Sequence, residues 1–261
     1  MTIKNNNLDK YGFSFKKGSV HTKRTMMLNE LTTLFNYIDD IDASYEMYKE
    51  AIIDENCTGK PSGSTRKFTA NYLRDLYILD TNKVLFRALC FFWERAPEAR
   101  PILAFLTAYV RDPLLQNITP FILRLEENQP PSKVELEEFI ENLYPDRYSP
   151  VMKASLGRNL LSTWTQAGFL VGRRNKTRVK SNVTAGAISY ALLISYLAGN
   201  RGENLLENKY ANNLECSFED KIDLASEASR KGWIVLKRIG KVIEVQFPNL
   251  LTDEEMEWLR E

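Results

Sequence analysis

Ser149–Lys180, SPVMKASLGRNLLSTWTQAGFLVGRRNKTRVK, holds a helix start, a helix stop and a hairpin in one run. Ser149-Pro150 sets a capping hydroxyl before a first-position proline, and Gly168 closes the helix. Phe169–Gly172 and Thr177–Lys180 are short strand-forming runs around the polar turn Arg173–Lys176. Upstream, Ser132 with Glu135 marks a capping box for a helix to about Leu143, and Tyr144–Ser149 turns the chain. Helix, turn, helix, hairpin is the order of a winged helix, in which the second helix enters the major groove and the hairpin lies along the DNA backbone.

The order recurs downstream. Thr184 caps a helix to Ala198, a short helix covers Gly202–Asn212, and Ser217 with Asp220 caps another that ends at Gly232. Trp233–Arg238 and Lys241–Phe247 then form a hairpin joined at Ile239-Gly240, and Thr252 with Glu255 caps a terminal helix. Before residue 130 the signals are all helical. Two helices fall between Thr25 and Glu55, separated near Asp39–Asp42. Ser64–Leu79 is a third, with Phe68, Tyr72, Leu76 and Leu79 read as its inner face. Val84–Arg95 and Pro101–Val110 are apolar nearly all round, and a helix starts at Asp112-Pro113 and runs to about Glu126. The expected fold is mostly α: a basic flexible arm over 1–24, a helical domain over 25–127 with a helix-turn-helix candidate at 60–80, a first winged helix over 132–182, and a second with the terminal helix over 184–261.

Composition narrows the function. With 261 residues, 44% hydrophobic and 26% charged, the chain affords a sizeable core and excludes wholesale disorder. The single histidine, His21, and the scattered Cys57, Cys90 and Cys216 give no zinc spacing and fit a reducing cytoplasm. No phosphate loop, dinucleotide fingerprint, nucleophile elbow or HExxH motif occurs, so no cofactor, metal or catalytic residue is assigned and no enzyme is expected. The carboxylates Asp39-Asp40 and Asp253-Glu254-Glu255 read as helix ends. Ala185–Ala198 is too short for a membrane span, which needs about 20 apolar residues, and reads as a buried helix.

Formal charge is +1, yet Arg147–Arg201 carries nine cations and no carboxylate, whereas Glu126–Asp146 carries seven acids against Lys133. At about 100° per residue, Leu156, Leu160, Trp164 and Ala167 share one side of the helix after Pro150. Ser155, Arg158, Asn159, Ser162, Thr165 and Gln166 take the other, a carboxylate-free face suited to base edges and phosphates. Arg173, Arg174, Lys176, Arg178 and Lys180 extend it along the hairpin. A second, weaker cluster is Lys60, Arg66, Lys67, Asn71 and Arg74, with Asp75 and Asp80 nearby as alternative partners for the arginines. Lys4, Lys10, Lys16, Lys17, Lys23 and Arg24 make up the basic arm. Glu219, Asp220, Asp223 and Glu227 would repel phosphate, which assigns the second winged helix to protein contact.

Ser64-Thr65-Arg66-Lys67, Leu73-Arg74-Asp75-Leu76-Tyr77, Arg100-Pro101-Ile102-Leu103 and Arg111-Asp112-Pro113-Leu114-Leu115, followed by Leu160–Leu170 entering a wing, resemble the BrxA family. Its members are small helical proteins of bacterial BREX phage-defence systems. The resemblance implies a cytoplasmic, non-enzymatic double-stranded-DNA-binding accessory protein, acting beside an ATPase, a methyltransferase and a phosphatase-like component. A winged-helix adaptor of an ATPase complex that meets no DNA, and a repressor of its own operon, stay open beside it, as does homo-oligomer formation.

Overall fold

The computed structural model describes residues 8–38, 40 and 43–259. Eleven α-helices and two two-stranded antiparallel hairpins are found among them. They are α1 (Leu28–Tyr37), α2 (Tyr45–Ile53), α3 (Gly63–Tyr77), α4 (Val84–Arg95), α5 (Arg100–Arg111), α6 (Pro113–Leu123), α7 (Lys133–Leu143), α8 (Pro150–Gln166), β1 (Leu170–Val171), β2 (Thr177–Arg178), α9 (Ala185–Leu197), α10 (Phe218–Arg230), β3 (Val235–Ile239), β4 (Val242–Gln246) and α11 (Asp253–Trp258). The starts follow local chemistry. Ser44, Ser62, Asp112, Ser132, Ser149, Thr184, Ser217 and Thr252 each accept a hydrogen bond from a first-turn amide. The break expected near Asp39–Asp42 lies largely outside the described residues. The short helix expected over Gly202–Asn212 is instead two 3-10 turns, Gly202–Leu205 and Ala211–Asn213. Asn208 separates them: its amide nitrogen donates to Ser195 Oγ, Asn204 O and Leu205 O, while its oxygen accepts from the Tyr210 and Ala211 amides.

The chain forms two compact units that are not contiguous in sequence, and the division falls within α5. One comprises 8–13, 82–106 and 182–259, the other 14–81 and 107–181. The stretch expected as one helical domain, 25–127, is thus shared between them.

In the first unit α9 is the central helix, buried at every position except Tyr196. It has only hydrogen and no side chain at Gly186, where an added Cβ would fall 2.4 Å from Ala96 Cβ. Tyr190 donates its hydroxyl to Leu85 O at 3.0 Å, and Phe92 meets both Tyr190 and Trp233 edge-on. The hairpin β3–β4 pairs Val235 with Gln246 through Ile239 with Val242. No described helix is long and apolar enough to cross a membrane.

In the second unit α7 and α8 pack together ahead of the β1–β2 hairpin, which pairs Leu170 with Arg178 and Val171 with Thr177. Trp164, fully buried on α8, stacks on Phe121, and Phe121 meets Phe139. The hairpin turn requires glycine at 172, since φ is +102° and a Cβ would lie 2.1 Å from Asn175 O. α3 buries Thr69, Ala70, Leu73, Leu76 and Tyr77, so its inner stripe is rotated from the expected one and Phe68 is 51% exposed. Small residues at 69 and 70 fit the packing of α3 against α2 better than the Phe68 ring would.

The basic arm expected over 1–24 is corrected for the described residues. Leu8, Tyr11, Phe13, Val20 and His21 are buried, and Ser14 donates its amide to Val110 O. Lys4 lies outside the described residues.

Candidate nucleic-acid interface

The face of α8 expected to read DNA is occupied by the protein's own chain. Asn159 Nδ2 donates to His21 O at 2.9 Å, and Thr163 Oγ1 accepts the Met26 amide at 2.9 Å. Gln166 Oε1 accepts the Leu28 amide and its Nε2 donates to Thr25 Oγ1, both at 3.1 Å. Residues 159, 163 and 166 are spaced four and three apart, the interval that aligns side chains on one helix face. They form a polar seam that binds the backbone of 21–28, from the 3-10 turn Val20–Thr22 to the start of α1, and supplies partners to amides and carbonyls that would otherwise need water. Ser155 is half-buried, Ser162 is half-buried beside Gln166 at 3.5 Å, and of the four residues expected to grip DNA from α8 only Arg158 is exposed.

Behind the seam sits a buried network around the single histidine. His21 Nδ1 donates to Asp112 Oδ2 at 2.8 Å, and Nε2 pairs with Thr163 Oγ1 at 3.1 Å. Ser19 Oγ donates to the same carboxylate at 2.7 Å, while Oδ1 caps α6 by accepting the Leu114 and Leu115 amides. Burial raises the pKa of Asp112, but the charge and hydrogen bond of His21, then Ser19 and the Leu115 amide, outweigh it and hold the carboxyl below its ordinary range. Thr163, His21 and Asp112 are in the order of a nucleophile, base and orienting acid. At 0–3% exposure, with the threonine oxygen already accepting an amide, they tie residues 19–26 to α6 and α8. The sequence signal for this was present in the Asp112-Pro113 cap and the lone histidine, but their partner is 91 positions away.

The hairpin cations divide. Arg173, Arg174 and Lys180 are exposed. Lys176 turns back to donate to Thr165 Oγ1 at 2.6 Å, and burial lowers its pKa. Arg178 does not face solvent at all: it is 2% exposed, with Nε on Ile122 O at 3.0 Å and its guanidinium also bonded to Phe169 O and Val179 O. Its backbone exchanges hydrogen bonds with Asn128 and Gln129, so the residue splices the 128–129 loop onto β2. Arg178 is therefore removed from the DNA-binding set, because a guanidinium whose donors are spent on buried carbonyls has none left for phosphate. Elsewhere in the nine-cation stretch, Lys153 pairs with Glu141 at 2.7 Å, Arg147 lies against Tyr144 and Tyr148, and Arg201 folds over Tyr196.

The second cluster survives better. Arg66 is half-buried and donates to Ile53 O at 3.1 Å, which removes it from the surface. Lys67, Asn71 and Arg74 are exposed along one side of α3, and Arg74 leans over the Tyr45 ring. Lys60 pairs with Glu30 at 2.8 Å. The segment before α1 adds exposed Lys16, Lys17, Lys23 and Arg24, with Arg24 lying over the Tyr72 ring 5.6 Å from its centroid. A cleft of about 280 Å³ opens here, lined by Lys16, Lys23, Tyr72 and Arg111 with Ser19, Asp75 and Asp112 among its other walls. What sequence reading took for a loose basic arm thus supplies cations to the α3 face.

The three cysteines are free. Burial raises the thiol pKa of each, to about 12 at Cys90, so none is biased toward thiolate. The helix α10 holds its acids in ion pairs in part, Glu219 with Arg238 and Glu227 with Lys231. Compared with known proteins, the chain matches no family model, and no curated protein matches it.

Proposed function

We propose that this chain is a non-enzymatic double-stranded-DNA-binding accessory protein of a bacterial BREX-like phage-defence system, one that positions or recruits a larger complex. The observation that carries the DNA reading is α3, where Lys67, Asn71 and Arg74 stand exposed and Lys16, Lys23 and Arg24 gather around Tyr72 of the same helix. Cations that track phosphate next to a short amide that can pair with a base edge are the chemistry of duplex recognition. The order α7, α8, β1–β2 is read as a winged helix whose contribution is backbone contact through Arg158, Arg173, Arg174 and Lys180, with α8 held by residues 19–28 instead of reading bases. The defence setting rests on the resemblance, whose residues fall on α3, at the start of α5, around Asp112 and from the end of α8 into β1. An ATPase and a methyltransferase are the partners it implies, in the cytoplasm.

The test is fluorescence anisotropy with a random-sequence duplex at low salt. Wild type should bind, and the Lys67→Ala/Arg74→Ala double variant should bind at least about tenfold more weakly, with the slope of log K against log salt smaller by about 2. Equal affinity and slope in the two proteins would remove α3 from the interface. The covered face of α8 favours a second reading, an adaptor that docks an ATPase without touching DNA, and absence of binding at micromolar protein would select it. A strong preference for one promoter fragment over random duplex would select the repressor reading.

A further inference from the structure

We infer that the α3 face also stacks an unpaired nucleotide, so that the protein engages single-stranded DNA as well as duplex; this rests on the nucleic-acid reading above. Phe68 is 51% exposed on a helix that had small residues available to face solvent. It stacks on Tyr72 one turn along, with centroids 6.1 Å apart and the rings 15° from parallel, so the pair presents a flat, preformed aromatic surface. Arg24 lies over Tyr72, Lys67 and Asn71 are exposed next to the pair on α3, and Arg74 is exposed farther round the helix, over the Tyr45 ring.

An exposed phenyl ring among cations suits one occupant best. An apolar protein partner would have to desolvate Lys67 and Arg24 around the contact. A nucleotide satisfies both halves, its base on the ring and its phosphates on the cations, and the match is sequence-tolerant because every base has a π-face. The cleft beside Tyr72, with Lys16, Lys23 and Arg111 on its walls, gives the strand's backbone a place to continue. Paired bases inside a duplex cannot offer a face to Phe68, so the ring is useful only where DNA is single-stranded, frayed or ended. Asp75, the one carboxylate of α3, also lines this cleft, so the strand's phosphates follow its Lys16, Lys23 and Arg111 walls.

The experiment compares a fluorescein-labelled twenty-nucleotide oligo(dT) with a duplex of equal length, in wild type, Phe68→Ala, Phe68→Tyr and Lys67→Ala/Arg74→Ala. Phe68→Ala should weaken oligo(dT) binding by roughly tenfold, the usual worth of one stacked base, while leaving duplex affinity within about twofold. Phe68→Tyr should restore it. Duplex binding that depends on Lys67 and Arg74, with oligo(dT) unbound or unaffected by Phe68→Ala, would overturn the stacking inference and leave the DNA reading standing. Failure of wild type to bind either probe would overturn both. A thermal melt of Phe68→Ala matching wild type would confirm that any loss is one of contact.

Discussion

Asp112 does three things at one position: it caps α6, receives Ser19 and holds His21, all at 3% exposure. Removing a partner from such a buried network leaves the others unsatisfied, so Asp112→Ala should cost about 3 kcal/mol in urea unfolding. The pH dependence follows from the direction of its shift. A carboxyl held lower in the folded than in the unfolded chain stabilises fully above the ordinary carboxylate value, near pH 4, and loses that contribution as pH falls through the lowered folded value. Wild type should therefore lose stability on acidification in a step that Asp112→Asn flattens; identical acid profiles would remove Asp112 as its source. Arg178 makes the complementary case. Arg178→Ala should destabilise by about 2–4 kcal/mol because buried carbonyls lose their donors, whereas Arg173→Ala should stay within about 0.5 kcal/mol of wild type. Arg178 is thus part of the core and Arg173 part of the surface.

At the scale of elements, α3 and α8 differ in how much of their expected polar face stays exposed. The α8 face looked vacant because it is polar and lacks carboxylates. Asn159, Thr163 and Gln166 spend that polarity on the backbone of 21–28. The expectation is that Gln166→Ala lowers the unfolding midpoint, by about 1 kcal/mol for bonds left unmade, and leaves the salt slope of duplex binding unchanged; a reduced slope would restore α8 to the interface. In the first unit α9 packs so closely that Gly186→Ala should destabilise by about 1–3 kcal/mol through overpacking against Ala96 and Ala99. A variant as stable as wild type would mean that α4 and the turn after it yield easily.

For the whole molecule, net charge +1 and the nine-cation stretch are both poor guides to surface potential. Of the nine, Lys153, Lys176 and Arg178 are engaged with a carboxylate, a hydroxyl or buried carbonyls, Arg147 and Arg201 are exposed but folded over rings, and Arg158, Arg173, Arg174 and Lys180 are exposed. With these four and Lys67 and Arg74 neutralising about six phosphates, raising salt from 50 to 200 mM should weaken duplex binding roughly a thousandfold. An affinity insensitive to salt would contradict a phosphate-tracking surface altogether.

Element type and limits were legible along the chain because caps, prolines and glycines act within a turn or two. Ser149-Pro150, Thr184 and Ser217 start helices where expected, and Val84–Arg95 runs between the same residues. The apolar run Ala185–Ala198 was legible as a buried helix, and α9 is buried at every position but Tyr196. Tertiary structure alone decided which surfaces remain available. A helix face is polar whether it meets water, DNA or another stretch of its own backbone, and hydrogen-bonding capacity at Asn159 or Arg178 carries no label of its partner. The partners came from 138 and 56 positions away, distances at which no local pattern operates. For the same reason the rotation of α3 that exposes Phe68, and the packing that places Lys23 and Arg24 beside it, follow from which neighbours fill the core and not from the periodicity of α3 itself.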